Sequence, residues 1–242
     1  MRRGLAASGR ALRFPSVQMF VGVVLPFMVM IFEEFLGASD AALGLLESPE
    51  VAAGWGSASA CEGFTVGGLA AHLAWQVESA RWAVESERPA AGAEVTPLTE
   101  HYARALWVGA DLDAPVNTGI RDTGEKRAAP GAVEVARSAR AAREVLAGVF
   151  GSLSPQEVVA VPWIEGRAMT AEDVLATRVL ELLIHTDDLA VSVGVATPAA
   201  SDAAYARVIG ILTGVSVRRF GALAVLRGLS RAERAPESIS AF

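Results

Sequence analysis

The sequence predicts an all-α fold, a bundle of long helices with at most one short β-hairpin. Three observations carry this prediction. Apolar residues recur at helical spacing over several segments of about twenty residues. Alanine is abundant and aromatic residues make up only 7%, a composition that favours helix. The connections between the periodic segments are modest, as in helical bundles. With 242 residues, 52% of them hydrophobic, the chain has material for one large domain, alone or with a small appendage, and a sizeable core. A mostly disordered chain is excluded.

The N-terminus differs in composition from the rest of the chain. Residues 1–14 carry four arginines and no acid, and an apolar stretch from Val17 to Phe32 comes next, interrupted by Pro26. Two readings stay open. A basic start and an apolar middle resemble a signal or membrane-surface segment. Against this, the run is shorter than the ~20 residues of a spanning helix, and Glu33 and Glu34 stand where a small-residue cleavage site belongs. The other reading is an upstream start codon, with the true first helix beginning near Met28 or Met30 and residues 1–25 an extension outside the fold. Arg2-Arg3 by itself is too little for a twin-arginine signal.

The first helix is expected over 26–46, with Phe32, Phe35, Leu36, Ala42, Leu43 and Leu46 on one stripe; Pro49 and the glycines around Trp55 end it. Thr65 is an N-cap for a helix over 66–86, whose stripe is Val66, Leu69, Leu73, Val77, Ala80 and Val84. A linker occupies 89–97. Thr99 opens a helix to about Val108, and a turn of helix falls within 116–126. Pro130 suits the first turn of a helix reaching Phe150. Residues 158–169 are rich in β-branched side chains and hold Pro162 and Gly166, a hairpin pattern. Thr170 and Asp173 form a capping box for a helix over 171–193, closed by Gly194 and Pro198. Helices over 203–217 and 222–229 complete the chain.

Charge and cysteine content narrow the function. Net charge is −6 without a Lys/Arg cluster in the body of the chain, which argues against nucleic acid as the main partner. The single cysteine, Cys61, excludes an internal disulfide and any multi-cysteine zinc site, and fits a cytoplasmic protein. No membrane partner is expected. Cys61 has no basic neighbour in sequence and reads as a small buried residue.

The helix over 171–193 is apolar almost all round. Thr177, Arg178, Glu181, His185 and Asp188 share one narrow polar strip. Glu181 and His185 lie four apart and leave the helix on one face, the reach needed for two ligands of one metal. The same strip also fits a plain solvated face, and the spacing alone does not separate the two. His72 borders the apolar stripe of its helix and faces inward, as a ligand or as a hydrogen-bonded core histidine. His101 reads as an early-turn surface residue. Asp188 shares the Glu181 and His185 face and can orient a ligand, whereas Asp187 points about 100° away and reads as a surface charge. Gln76, one turn after His72, is another supporting candidate or an ordinary boundary residue. Gly67-Gly68 precedes a helix but lacks the strand and spacing of a phosphate loop. No nucleophile elbow is present.

The chain resembles the mycothiol-dependent maleylpyruvate isomerase family, whose metal-binding domain is a DinB-like bundle. The resemblance rests on W-x-x-x-S-A-C-E-G-F-T-V-G-G-L-A-A-H-L from Trp55 to Leu73 and T-R-V-L-E-L-L-I-H-T-D-D-L-A from Thr177 to Ala190. The ending R-G-L-S-R-A-E-R-A-P from Arg227 to Pro236 adds to it, and together these cover residue 28 onward. It implies an antiparallel four-helix core near 28–47, 65–87, 130–151 and 171–193. The implied domain map is an extension over 1–25, a metal-binding bundle over 26–194 and a C-terminal helical segment over 195–242.

The resemblance also implies a divalent metal, usually zinc, on His72, Glu181 and His185, with an open position for water or a low-molecular-weight thiol such as mycothiol. The larger α/β domain that helps the isomerase bind its thiol and substrate has no counterpart after Gly194. Arg218, Arg219 and Arg227 remain there, and none matches a catalytic arginine of the isomerase. Two function classes are consistent with these features. One is a metal- and thiol-dependent isomerase or transferase acting on a small electrophile. The other is a non-catalytic bundle that binds a metal or small ligand.

Overall fold

A computed structural model describes residues 18–242 apart from Ala91, with side chains from Ile31 onward. The expectation that residues 1–25 stand outside the fold therefore concerns mainly a segment outside the described residues.

Helix α1 (Gln18–Leu46) starts eight residues before the expected Pro26, which lies within it. Its Ile31, Phe35, Ala42 and Leu43 are fully buried. A short α2 (Pro49–Gly54) comes next, where the sequence predicts only a stop. Proline serves both purposes, since it cannot continue a helix but fits the first turn of the next. The Ser48 hydroxyl accepts from the Val51 N–H at 3.3 Å and caps that turn.

Helix α3 (Val66–Glu85) matches its prediction, and Thr65 Oγ1 accepts from the Gly68 N–H at 2.9 Å. Helix α4 (Leu98–Ala103) is shorter than the expected 99–108, and the chain then turns through residues 104–110. Helix α5 (Pro115–Ala128) is a full helix of 14 residues where the sequence predicts a single turn. Helix α6 (Ala132–Val149) is capped by Gly131 at φ +90°, so Pro130 lies just outside the helix rather than in its first turn.

Strands β1 (Val158–Ala160) and β2 (Ala168–Thr170) pair antiparallel with Val159 opposite Met169, the expected hairpin. Helix α7 (Ala171–Val193) agrees with the prediction at both ends. Thr170 Oγ1 accepts from the Asp173 N–H at 3.1 Å, and Gly194 takes the left-handed conformation at φ +72°. Helices α8 (Asp202–Phe220) and α9 (Ala222–Ser230) follow, and a short 3-10 helix at Ala232–Arg234 is the last helical element.

The fold is an all-α bundle with extra helices and a short hairpin. Helices α1, α7, α3 and α6 close a ring in that order, α6 returning to α1. Leu69, Leu73, Leu146, Leu175, Leu180 and Leu182 fill its interior with almost no exposure. Helix α5 lies along α3, and α8 packs against α1, α4 and α7. Glu34, which in the sequence only stands where a cleavage site would belong, is buried and accepts from Arg207 Nε of α8 at 2.5 Å. The C-terminal tail returns to the bundle. Arg219 Nη1 donates to the Ser240 and Ala241 carbonyls at 3.0 and 2.8 Å, and the Phe242 ring packs on Trp107. Among the described residues no helix is long and apolar enough to cross a membrane.

Candidate metal centre

The loop from Trp55 to Thr65 and the start of α3 are shaped by packing. Gly67 faces Trp55 so closely that a Cβ would sit 2.7 Å from its ring and 2.9 Å from its carbonyl oxygen. A Cβ on Gly68 would meet Glu125 Oε1 of α5 at 2.1 Å. That carboxylate accepts the Thr65 N–H at 2.9 Å and the Thr65 hydroxyl at 2.9 Å. It therefore holds the residue that caps α3 and places a negative charge at the helix N-terminus. Gly124 approaches the Gly68 carbonyl in turn, a Cβ there falling 2.8 Å from it. The paired glycines let two helices touch, and the T-V-G-G part of the motif is a docking device that fixes the pitch of α3. Seven residues into α3 comes His72.

Helix α7 meets α3 across the core and brings Glu181 and His185 opposite His72. Glu181 Oε2 lies 3.6 Å from His72 Nε2 and 3.4 Å from His185 Nε2. One donor atom from each residue falls within 4.8 Å of the others. The two imidazoles are nearly perpendicular at 87°, centroids 4.9 Å apart, so they approach one point from different directions. Side-chain exposure of 15–17% puts the three at the edge of the core, reachable from solvent.

These separations can be tested against a metal's needs. Ligands ~2.1 Å from a tetrahedral centre lie ~3.4 Å from one another. The two carboxylate–imidazole distances match that spacing and exceed ordinary hydrogen bonds. Two imidazole nitrogens and one carboxylate oxygen suit zinc or a similar divalent ion. The residues present fit the group.

The supporting contacts lie along the polar strip of α7. His185 Nδ1 donates to Asp188 Oδ2 at 2.9 Å, which leaves Nε2 facing Glu181. Asp187 is exposed and accepts from the Thr197 hydroxyl at 2.6 Å. Gln76 amide nitrogen lies 3.1 Å from His72 Nε2 and donates to the His72 carbonyl at 2.9 Å. Its oxygen accepts from Arg178 Nη1 at 2.7 Å. Burial opposes a charge on His185, but the Asp188 and Glu181 carboxylates outweigh it and push the imidazole up to about 9. Burial also opposes ionisation of Glu181, yet the neighbouring His185 and His72 imidazoles outweigh it and hold the carboxyl well below the usual carboxylate range. His72 moves down, because its desolvation exceeds the pull of Glu181.

Residues 35–190 match the mycothiol maleylpyruvate isomerase N-terminal domain, a stretch that includes α2 through α6, the hairpin and nearly all of α7. The chain belongs to that family. No curated protein and no solved structure gives a match. The family assignment makes the bundle a DinB-like domain related to mycothiol-dependent isomerases.

Three readings from sequence need correction or extension. His101 is buried, not on the surface. Helix α4 packs against α7 and α8, the His101 ring stands edge-on to Tyr102, and Arg167 Nη1 lies 3.5 Å from its Nδ1. Burial first, then the charges of Arg178 and Arg167, pull its imidazole down to about 4. Cys61 is half-buried at the core edge as a small residue, but it also sits beside the site. Its sulfur falls within 4.8 Å of donor atoms of His185 and Asp188. Ser192 Oγ anchors this loop by accepting from the Ala60 N–H at 2.8 Å. Burial and the nearby Asp188 push the thiol up to about 11. Finally, Arg219 is engaged by the C-terminal tail and Arg218 and Arg227 are exposed, while the guanidinium beside the site is Arg178.

Proposed function

We propose that this family member holds one divalent cation, zinc by its donor set, on His72, Glu181 and His185, and uses it to activate a low-molecular-weight thiol against a small electrophile. The observation that supports this reading is the convergence of the three donor atoms within 4.8 Å, with Glu181 at near-tetrahedral spacing from each imidazole nitrogen. A bound divalent ion would lower the pKa of a coordinated thiol and hold it as thiolate beside its target. The protein's own residues set the conditions for this. Asp188 fixes the His185 tautomer so that Nε2 points inward. Glu181 supplies a carboxylate kept ionised by its two histidine neighbours. Apolar side chains of α3 and α7 limit water at the ligands. The reaction class is thiol-dependent isomerisation or thiol transfer. The working unit is residues 26–194, with 195–242 a C-terminal helical segment. A thiol-using activity suits a reducing cytoplasm.

Purified zinc-loaded protein, given a low-molecular-weight thiol and monochlorobimane, tests the reading. Thiol-dependent loss of the electrophile in wild type, absent in Glu181→Gln, is expected. Zinc binding with no turnover across several thiols and electrophiles would instead favour a non-catalytic metal-binding bundle.

A further inference from the structure

Helix α8 turns a face without charge toward solvent. Its inward side, with Ala204, Val208 and Val215, is buried, and Arg207 reaches Glu34 of α1. On the outward side Ile209 is 60% exposed, Tyr205 40% and Val217 37%. The ten residues between Arg207 and Arg218 include no charged side chain. The outward face of a surface helix ordinarily carries charge, and exposed apolar side chains gathered on one face mark a contact surface.

The face also has a shape. Tyr205, Ile209, Thr213 and Val217 stand four apart and form one ridge. Ala206, Gly210 and Gly214 form the next row, and all three are exposed. A Cβ on Gly210 or Gly214 would meet nothing within 4 Å, so this row is an open groove beside the ridge. Rows four apart interdigitate when two helices cross at about −50°, the commonest packing of helix on helix. Because α8 carries both features, a second α8 supplies a ridge for the groove and a groove for the ridge.

Charge sets the orientation. The small row continues to Asp202 in the first turn of α8 and to Arg218 in the last, both exposed. At four-residue intervals it reads Asp–Ala–Gly–Gly–Arg. Laid antiparallel on a copy of itself about Gly210, the row places each Asp202 beside Arg218 of the other copy and each Ala206 beside Gly214. Antiparallel pairing also opposes the two helix dipoles, whereas parallel pairing sets like charge on like. An anionic membrane surface finds no such match, since the row holds one acid for one base. The ridge spans about 18 Å, and Leu223 and Leu226 at the start of α9 are 57% and 62% exposed beyond it. Standard interfaces bury about 800 Å² per partner; a single helix face is smaller, which suits a reversible contact. We propose that the outward face of α8 is a homodimer interface, occupied by α8 of a second copy in antiparallel orientation. It lies beyond residues 35–190, the stretch that matches the family, and is independent of the metal centre.

Sedimentation velocity of the full chain tests this. Wild type is expected to pass reversibly from monomer to dimer as its concentration rises, with dimer dominant at about 100 μM, an affinity suited to an interface at the small end of the range. Gly210→Arg puts a charged side chain at the centre of the face. Its Cβ has open space and arginine is the better helix former, so the circular dichroism of the monomer should be unchanged while the dimer is lost. Asp202→Arg and Arg218→Asp should each weaken the dimer about tenfold, because each sets like charges together twice across the two-fold axis. Mixing the two single variants should restore association, since every acid again faces a base. A chain that stays monomeric at 100 μM would overturn the proposal, as would a dimer that survives Gly210→Arg. Single charge reversals that leave the dimer as strong as wild type would refute the antiparallel pairing. Sedimentation with phosphatidylserine vesicles, without self-association of the free protein, would give the face to a membrane and overturn the dimer.

Discussion

Gly68→Ala separates a packing glycine from a catalytic one. The new Cβ would lie 2.1 Å from Glu125 Oε1 and 2.6 Å from its Cδ. Those atoms end a flexible side chain, so Glu125 swings away and the steric cost is small. What is lost is its grip on Thr65, one bond to the N–H and one to the hydroxyl, both near 2.9 Å. Bonds to a half-buried carboxylate contribute about 1.5–3 kcal/mol each at most, and one is partly recovered through water, which leaves a loss of about 3 kcal/mol. Alanine in place of glycine in the first turn of α3 returns about 0.5–1 kcal/mol. The net destabilisation is about 2 kcal/mol, a fall of roughly 4–8 °C in Tm for a chain of this size. Thermal melts followed by circular dichroism read this directly. The mechanism is tested by a double-mutant cycle with Glu125→Ala. Once the carboxylate is gone, Gly68→Ala should be neutral or slightly stabilising. A Gly68→Ala cost that is the same in both backgrounds would refute the reasoning.

The same geometry predicts further outcomes. His101, held down to about 4 against an ordinary value near 6.5, is neutral in the fold and takes a proton more readily when unfolded. Its contribution is fully present above pH 6.5 and is lost as pH falls toward 4, by up to about 3 kcal/mol. His101→Gln should flatten that acid limb in urea titrations, and an unchanged limb would remove His101 as its cause. Asp188→Asn should weaken zinc about 10–100-fold in chelator competition, because the amide no longer fixes and polarises His185; an unchanged affinity would exclude that role. The Cys61 thiol, near 11, should react with iodoacetamide at pH 8 about 100-fold more slowly than a free cysteine in the metal-free protein. Rapid alkylation would show that the loop does not bury it.

Legibility from sequence tracks how locally each feature is determined. Helix α7 is legible to the residue because Thr170 and Gly194 are unambiguous start and stop residues and the run between is long and periodic. Helix α5 reads as a mere turn because PVNTGIRDTGEKRA has little apolar periodicity. It is held by Gly124 against Gly68 and by Glu125 at Thr65, contacts invisible in one dimension. The pairing of Glu181 with His185 is dictated by i,i+4 geometry, whereas His72 enters as a ligand through the family resemblance. Gln76 and Asp188 stand out as supporting candidates because they sit one turn from a ligand on the same face. His101 is misplaced by sequence reasoning because a short helix beside a linker looks exposed until α8 and the returning C-terminus are packed against it. Arg178 is visible in the polar strip but not distinguished there, since only the fold reveals that it is buried and that its Nη1 donates to Gln76 beside His72.

The most direct test of the metal centre is elemental analysis of dialysed protein, wild type beside His185→Ala. The account predicts one divalent ion per chain in wild type, zinc by its donor set. It predicts none retained by the variant, whose circular dichroism should still show the helices, because the core is leucine and valine from other positions. A wild type that takes up no metal, or a His185→Ala protein that keeps one tightly bound ion, would contradict it.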